Sequence, residues 1–257
     1  MYKVAHISDT HIRNLKYHYE YNMAFKDLYK KLKRMKPDII VHTGDIAHTK
    51  TQLSPEFFQM CTAFLYNLGE IAPTYIILGN HDGNLKNDNR QDAISPIIEA
   101  LGHKNLFLLK NSGEIEPLKG LTLNVLSVFD RDNWSKPSDD TKINIALYHG
   151  SIHGCQTSQG WVMDEGEDSV SIFKDFDYGL LGDIHRPQAM DRKGKVRYSG
   201  STIQQNFGES INKGFLMWNI KDKDNFDVQH VAVVNPRPFI TINLNNDGTF
   251  PKVQVPR

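Results

Sequence analysis

The sequence predicts an α/β protein in which two β-sheets of mixed parallel and antiparallel strands form a β-sandwich flanked by helices. In the first hundred residues, short apolar runs alternate with longer segments of helical periodicity, an order typical of parallel strands joined by crossover helices. After residue 105 the chain consists mainly of short strand-like runs, which we expect to form a second sheet packed on the first.

The first half of the chain predicts strand, helix, strand, helix and strand in that order. Residues 19–35 have apolar side chains at helical spacing, and Pro37 ends this helix because proline cannot continue one. Pro55 suits the first turn of a second helix, which we expect to end near Leu68. The predicted strands are residues 3–8, 38–42 and 74–78. In such a sheet, ligands gather outside the carboxyl ends of the strands.

The second half begins with a predicted helix at residues 92–101 and continues mostly as strands. The predicted strands are residues 106–109, 121–128, 143–148, 178–181, 196–198, 214–220 and 226–234. The polar stretches 131–140 and 160–168 are expected to be surface loops that border a cleft. Two prolines separate a main domain, residues 1–235, from residues 236–257, where a strand-like pattern at 239–244 predicts the first element of an unfinished segment.

Composition excludes several classes of protein. The 257 residues suffice for one large domain or two smaller ones, and 30 basic against 30 acidic residues leave no net charge. Any nucleic-acid binding must therefore come from a local basic patch. Cys61 and Cys155 are too few for a disulfide framework, and the chain shows neither a signal-peptide-like start nor an apolar stretch of bilayer length. We expect a cytoplasmic protein that does not contact membranes.

Short clusters of metal-binding residue types follow apolar runs at five places in the chain. They are Asp9-Thr10-His11, Gly44-Asp45, Gly79-Asn80-His81-Asp82, His149 and Gly182-Asp183-Ile184-His185. Oxygen and imidazole donors without thiolate suit divalent cations such as magnesium and manganese. A lone Asp or His at a strand end is usually a turn or capping residue, but five such clusters in order predict a dinuclear metal site. Such sites are typical of hydrolases that cleave phosphate esters.

The remaining histidines carry less information. Five match no motif and are expected to be ordinary core or surface residues: His6, His18, His42, His103 and His230. His153 follows His149 by four residues, and its position is compatible both with contact to a phosphate and with stabilisation of a loop.

The order of the five clusters resembles the signature of the calcineurin-like metallophosphoesterase superfamily: Asp-x-His, Gly-Asp, Gly-Asn-His-Asp/Glu, a lone His and a closing Gly-His-x-His. Within that superfamily the chain is similar to the SbcD-type DNA nucleases, the bacterial and phage relatives of the meiotic-recombination nuclease. Three features carry this narrower resemblance: His48, three residues after Asp45; residues 185–188 together with 196–201; and residues 236–239. The resemblance covers nearly the whole chain.

The resemblance implies a role for each cluster residue. Asp45 would bridge two divalent metal ions, with Mn²⁺ expected and Mg²⁺ as the alternative. The other ligands would be Asp9, His11 and His185 for one metal and Asn80, His149 and Asp183 for the second. His81 would stabilise the transition state or protonate the leaving oxygen, with Asp82 orienting its ring. His48 would position the DNA strand.

Position 183 departs from the family pattern, because Asp183 stands where the usual motif has histidine. A carboxylate is a harder ligand than an imidazole and carries a full negative charge. We therefore predict that the second metal site binds manganese or magnesium at least as readily as an imidazole version would.

The resemblance also predicts function and partners: a metal-dependent DNA nuclease that acts exonucleolytically on duplex ends and endonucleolytically on single strands in DNA repair or recombination. It implies a complex with an ABC-type ATPase and a location in the cytoplasm, or in the host cytoplasm if the chain is phage-encoded. A homodimer would form through a helix face with Phe58 or Tyr66 and Ile97 or Ile98, and residues 236–257 would begin an incomplete capping segment. Cations beside the ligand loops would contact DNA phosphates unless they are ordinary solvated charges: Arg13, Lys16, Lys50 and Arg186.

Two alternatives stay open at this point. A phosphatase or small-molecule phosphodiesterase of the same superfamily would need an enclosed pocket rather than an open cleft of DNA size. A non-catalytic scaffold of the same fold would have lost metal ligands, whereas here only position 183 departs from the pattern. His48 and residues 185–201 favour the nuclease.

Overall fold

The computed structural model describes residues 1–87 and 90–251, which form two six-stranded sheets and three α-helices. In chain order the elements are β1 (Tyr2–Ile7), α1 (His18–Met35), β2 (Ile39–His42), α2 (Pro55–Gly69), β3 (Thr74–Ile76), α3 (Ser95–Leu101), β4 (Leu106–Leu108), β5 (Gly113–Leu118), β6 (Leu121–Leu126), β7 (Ile143–His149), β8 (Tyr178–Gly182), β9 (Gln188–Ala189), β10 (Val196–Tyr198), β11 (Gly214–Ile220) and β12 (Phe226–Ala232).

Both sheets combine a parallel centre with antiparallel edges. The first has the order β12-β11-β1-β2-β3-β4, in which β1 to β4 are parallel and β11 and β12 add antiparallel strands. The second has the order β5-β6-β7-β8-β10-β9, with β6, β7, β8 and β10 parallel. This mixed two-sheet α/β architecture confirms the predicted fold class.

Apolar packing holds the layers together. Val41 and Trp218 of the first sheet pack between the sheets against Leu123 and Ile145 of the second. A separate core lies between the first sheet and the helices and includes Phe64 of α2. Because burial of apolar surface is the main stabilising contribution to folding, these two cores fix the sheets and therefore the loops at their ends.

Local sequence explains where the helices begin and end. The Ser54 hydroxyl accepts a hydrogen bond from the Phe57 amide, and Pro55 occupies the first turn of α2. Helix α3 begins at Ser95 rather than at the predicted residue 92, because the Asp92 carboxylate accepts from the Ile94 and Ser95 amides and caps the helix from outside.

In residues 1–87 and 90–251, no helix combines the length and apolar character needed to cross a bilayer.

Three parts of the sequence prediction differ from the structure. Strands β5 and β9 were not expected, since β5 is an edge strand with only two apolar side chains, Ile115 and Leu118, packed on the core and β9 has only two residues. The prediction of a strand at residues 239–244 is wrong, because this segment pairs with no described strand and its side chains are largely exposed. Alternating polar and apolar residues are not sufficient for a strand without a partner edge.

Candidate metal centre

The predicted ligands lie at one rim of the sandwich, where strands of both sheets end. The ligand positions are Asp9 and His11 after β1, Asp45 after β2, Asn80 after β3, His149 at the end of β7, and Asp183 and His185 after β8. The first sheet thus supplies four of these residues and the second sheet three. Contact between the two sheets is therefore what brings the clusters together.

Backbone strain concentrates at this rim. Within the described ranges, four candidate ligands have left-handed backbone conformations, with φ of 50° at Asp9, 45° at His11, 57° at Asp45 and 96° at Asp183. Such conformations are unfavourable for non-glycine residues and persist where surrounding structure enforces them, often at functional sites. Gly79 is required by close approach, since a Cβ there would overlap the Asp45 carboxylate.

One group of donors surrounds the His11 ring. Its Nε2 lies 3.0 Å from Nε2 of His185, 3.5 Å from an Asp45 carboxylate oxygen and 3.9 Å from an Asp9 carboxylate oxygen. Asp9 and His11 are almost fully buried. Donor atoms of Asp9, His11 and His185 lie within 4.8 Å of one another, which suits a single metal ion.

A second group surrounds the His149 ring. Its Nε2 lies 3.4 Å from an Asp45 carboxylate oxygen, 3.3 Å from Asn80 Oδ1 and 4.0 Å from Asp183 Oδ1. Asp45 is common to both groups, which is the position expected of a bridging carboxylate. Asp183 faces the cluster, and its carboxylate stands where the family pattern places an imidazole.

Hydrogen bonds set the orientation of two candidate histidine ligands. His149 Nδ1 lies 2.7 Å from the Thr43 carbonyl oxygen, and His185 Nδ1 lies 2.7 Å from Glu209 Oε1. Carbonyl and carboxylate oxygens accept hydrogen bonds, so Nδ1 of each ring carries the proton. The Nε2 lone pairs therefore face the cluster, as in metal-binding histidines that donate their other N–H to an oxygen.

Glu209 is a site residue that the sequence motifs did not reveal. Its buried carboxylate contacts both His185 and Lys213 Nζ, each at 2.7 Å. Burial alone would raise the pKa of Glu209, but the hydrogen bond from His185 and the charge of Lys213 outweigh it and lower the pKa to about 2. Glu209 is therefore ionised at neutral pH and holds the His185 ring in place.

The electrostatics of the cluster fit divalent cations. Burial raises the pKa of Asp9 to about 6, and burial together with the charge of Asp45 raises the pKa of Asp82 to about 7. Buried carboxylates this close together oppose one another's ionisation, and a bound cation would offset that repulsion. The carboxylate, amide and imidazole donors match the ligands of manganese and magnesium.

His81 lies beside the cluster but is oriented differently from the sequence-based expectation. Its Nδ1 lies 2.8 Å from the His48 carbonyl oxygen, and its backbone amide donates to Asp45 Oδ1 at 2.8 Å. Asp82 does not orient the ring, so this expectation is wrong. The buried Asp82 carboxylate instead accepts from the backbone amides of Asp45, Ala47 and Gly79, because consecutive residues in this tight turn point in different directions. Asp82 thus fixes the loop that carries Asp45.

His48 and Arg13 form the neighbouring wall. Arg13 Nη1 lies 2.8 Å from His48 Nε2, so the guanidinium donates to the ring. Burial and the charge of Arg13 lower the pKa of His48 to about 4, which leaves the ring neutral at pH 7. Arg13 presents a cation close to the cluster.

Unlike Arg13, the other predicted cations do not line the cavity at the cluster. Lys50 Nζ donates to the Asn80 carbonyl at 2.7 Å, whereas Lys16 and Arg186 are exposed. His153 is also exposed, and its backbone amide helps to close a loop by donating to the Asp168 carbonyl. Two of the histidines without a motif, His6 and His42, are fully buried in the core.

Two adjoining cavities open onto the cluster. The first, of about 240 Å³, is lined by His11, Arg13, Asp45, His48, His81, Asp183, His185, Gln205 and Asn206. The second, of about 360 Å³, extends away from Arg13 towards Trp161. Asp183, His185 and Asn206 line both cavities. The candidate metal centre therefore lines one cavity and adjoins a second.

The fold, the rim position and the donor set agree with the result of a comparison against protein families. A family model described as calcineurin-like phosphoesterase matches residues 2–187. The chain therefore belongs to the calcineurin-like phosphoesterase family. This superfamily has a dinuclear metal site, and the described part of the chain contains groups of side chains that could hold metal ions.

Individual relatives extend this result. The uncharacterized protein R555 of Acanthamoeba polyphaga mimivirus is 39% identical over 269 residues, which cover 99% of this chain and 20% of that protein. The putative phosphoesterase 244L of invertebrate iridescent virus 6 is 27% identical over 202 residues, covering 73% of this chain and 66% of its own. The chain thus spans a fifth and about two thirds of these relatives' lengths. A dimetal phosphatase from Danio rerio, 11% identical, shares the fold with a TM-score of 0.55 over 91% of this chain and 98% of its own.

Proposed function

We propose that this metallophosphoesterase is a DNA nuclease that hydrolyses phosphodiesters with two divalent metal ions, in DNA repair or recombination. The observation that carries the proposal is the second cavity that adjoins the one at the candidate metal centre. A phosphodiester within a polymer has a nucleotide on each side of the scissile phosphate, and the two cavities offer space for both. An enzyme for small phosphomonoesters has no need of the second cavity.

The two metal ions would supply charge neutralisation and a bound water of lowered pKa. Asp9, His11, His185 and Asp45 would hold one ion, and Asn80, His149, Asp183 and Asp45 the other. Glu209 keeps His185 oriented through its Nδ1 hydrogen bond. The additional negative charge of Asp183 supports manganese or magnesium as the occupants rather than softer metals.

His81 is suited to act on the leaving oxygen. Because its Nδ1 donates to the His48 carbonyl, the opposite nitrogen is free to handle a proton at the substrate. The ring lines the first cavity together with Arg13 and His48. Arg13 would contact a non-bridging phosphate oxygen there, and His48 would orient the Arg13 guanidinium and the strand that it contacts.

The proposal is tested with end-labelled duplex and single-stranded DNA in manganese, followed by gel analysis of the products. Wild type should degrade the DNA, exonucleolytically from duplex ends and endonucleolytically on single strands, whereas Asp45→Asn and His81→Ala should not. His103→Gln is the matched control, since it changes a histidine outside the site and should leave cleavage intact.

Methyl p-nitrophenyl phosphate, a phosphodiester without a nucleobase, separates the alternatives. If wild type hydrolyses this compound but no DNA, the substrate is a small phosphodiester and the nuclease proposal is wrong. If it hydrolyses neither in manganese or magnesium, the nuclease proposal is wrong, and a phosphatase for monoesters and a non-catalytic scaffold are the two remaining alternatives.

Assembly is a separate part of the proposal. An apolar groove of about 300 Å³ between α2 and α3 is lined by Phe58 and Pro96, and Tyr66 of α2 is 46% exposed. The expectation that Ile97 or Ile98 faces outward is wrong, because Ile97 is buried in the core and Ile98 packs against it. Together with the SbcD-type resemblance, this surface supports a homodimer, which light scattering at micromolar concentration would detect. The ABC-type ATPase partner and a capping role for residues 236–257 rest on that resemblance alone, and pull-down with such an ATPase would test the former.

A further inference from the structure

We propose that the 360 Å³ cavity beside the metal centre is a base-binding subsite that stacks an unpaired nucleobase on the indole of Trp161. The proposal rests on the nuclease function above and specifies which part of the DNA is recognised. The cavity is lined on the loop side by Thr157, Ser158, Gln159 and Trp161. Its volume lies in the range of about 300–1,000 Å³ typical of ligand pockets.

Trp161 lies in a hairpin that is held by hydrogen bonds. The hairpin closes through hydrogen bonds from the Thr157 amide to the Trp161 carbonyl, at 2.8 Å, and from the Met163 amide to the Cys155 carbonyl, at 2.9 Å. Gln156 and Gln188 fasten it to the body of the protein through two reciprocal bonds of 2.8 and 2.7 Å. The backbone that carries the indole is thus held in place, which limits the conformational freedom lost when a ligand binds.

The indole of Trp161 is largely exposed to solvent. Trp161 is 66% exposed, whereas Trp218 is fully buried and Trp134 is half-buried. Because the exposed indole lines a cavity that adjoins the metal centre, it offers a flat aromatic face on which a base can stack. Aromatic side chains that stack bases are the common means by which proteins bind single-stranded nucleic acid.

Polar side chains line the same cavity. Gln159 is exposed and lies on its loop side. The side-chain amide of Gln159 has both a donor and an acceptor for the polar edge of a base. The cavity therefore offers a stacking face and a hydrogen-bonding group, which is the combination that a nucleobase requires.

Charge indicates that the occupant is a base rather than a second phosphate. Among the described residues that line the cavity there is no lysine or arginine to bind a second phosphate. Asp183 and His185 also line the cavity at the metal centre, so a scissile phosphate held there would place the adjacent nucleotide beside Trp161. Because a base stacked on a side chain must leave the duplex stack, the subsite would select single-stranded or frayed DNA.

The test compares Trp161→Ala, Trp161→Phe and Val162→Ala with wild type on single-stranded DNA and on methyl p-nitrophenyl phosphate. We expect Trp161→Ala to raise KM for the DNA about tenfold or more, and Trp161→Phe to keep most of the affinity because a ring remains. Val162→Ala, which alters an exposed apolar residue of the same hairpin outside the cavity, should match wild type. Hydrolysis of methyl p-nitrophenyl phosphate, which has no base, should be the same in all four proteins.

A scan with single abasic sites locates the base. In wild type one position beside the cleaved bond should show a raised KM when its base is removed, and Trp161→Ala should abolish this difference. The subsite is overturned if Trp161→Ala cleaves DNA like wild type, if Val162→Ala is equally impaired, or if the abasic penalty persists in Trp161→Ala. DNA cleavage by wild type is therefore measured first. If wild type does not cleave DNA, the nuclease function is refuted, and the base-binding subsite is refuted with it.

Discussion

Replacement of Glu209 by glutamine tests how much of the metal affinity depends on the carboxylate behind His185. The substitution keeps the shape of the side chain but removes the charge that the His185 N–H contacts at 2.7 Å. A hydrogen bond to a charged group contributes about 1.5–3 kcal/mol. Because 1.4 kcal/mol corresponds to a factor of ten, we expect manganese affinity to fall about 10–100-fold, the range observed when such supporting groups are changed.

Isothermal titration of manganese into wild type and Glu209→Gln measures this effect directly. Glu70→Gln is the matched control, because it removes a carboxylate from the pair that Glu70 forms with His103 outside the site, at 2.9 Å. Urea unfolding of the same proteins separates affinity from stability. The Glu209 and Lys213 side chains are each 2% exposed, so we expect Glu209→Gln also to lower the free energy of unfolding by about 3 kcal/mol. Unchanged manganese affinity in Glu209→Gln would refute the proposed role of this carboxylate.

Three further predictions follow from the same geometry. Asp183→His should shift metal preference towards zinc relative to manganese by about tenfold, measured by competition titration, and an unchanged ratio would show that residue 183 is not a ligand. The folded-state pKa of Glu209, about 2, lies below its ordinary value of 4.5, so its stabilising contribution is present above pH 4.5 and is lost as the pH falls towards 2. Urea unfolding across that window should therefore show wild type losing its advantage over Glu209→Gln, and a constant difference would contradict the assignment. Gly79→Ala should reduce kcat at least tenfold and destabilise the fold by about 1–3 kcal/mol, because its Cβ would displace the Asp45 carboxylate; wild-type kcat in this variant would exclude Asp45 as the bridge.

The parts of the fold that follow from periodicity were predictable from the sequence. Helices α1 and α2 combine an apolar stripe with a proline or a capping residue at an end, and the parallel strands of the first sheet are continuous apolar runs. Strand β5 escaped prediction because its exposed residues include Glu114 and Glu116, and an edge strand needs no buried face. Residues 239–244 alternate like a strand but have no neighbouring edge to pair with.

The candidate site was predictable where a short motif carries the chemistry. Asp9, Asp45 and His149 come directly from strand ends, and the topology brings strand ends together. Glu209 could not be found in this way, because its contact with His185 depends on how residues 199–213 fold back over the rim. The role predicted for Asp82, orienting the His81 ring, was wrong because adjacency in sequence does not set the direction of a side chain within a tight turn.

The central claim is that the donors around Asp45 hold metal ions that cleave DNA. The most direct measurement is the initial rate of cleavage of labelled single-stranded DNA as manganese is titrated, with wild type and Asp45→Asn assayed in parallel. The account predicts manganese-dependent cleavage by wild type and a loss of at least a hundredfold in Asp45→Asn, because both metal sites share this carboxylate. Equal cleavage by the two proteins, or none by wild type at any manganese concentration, would contradict it.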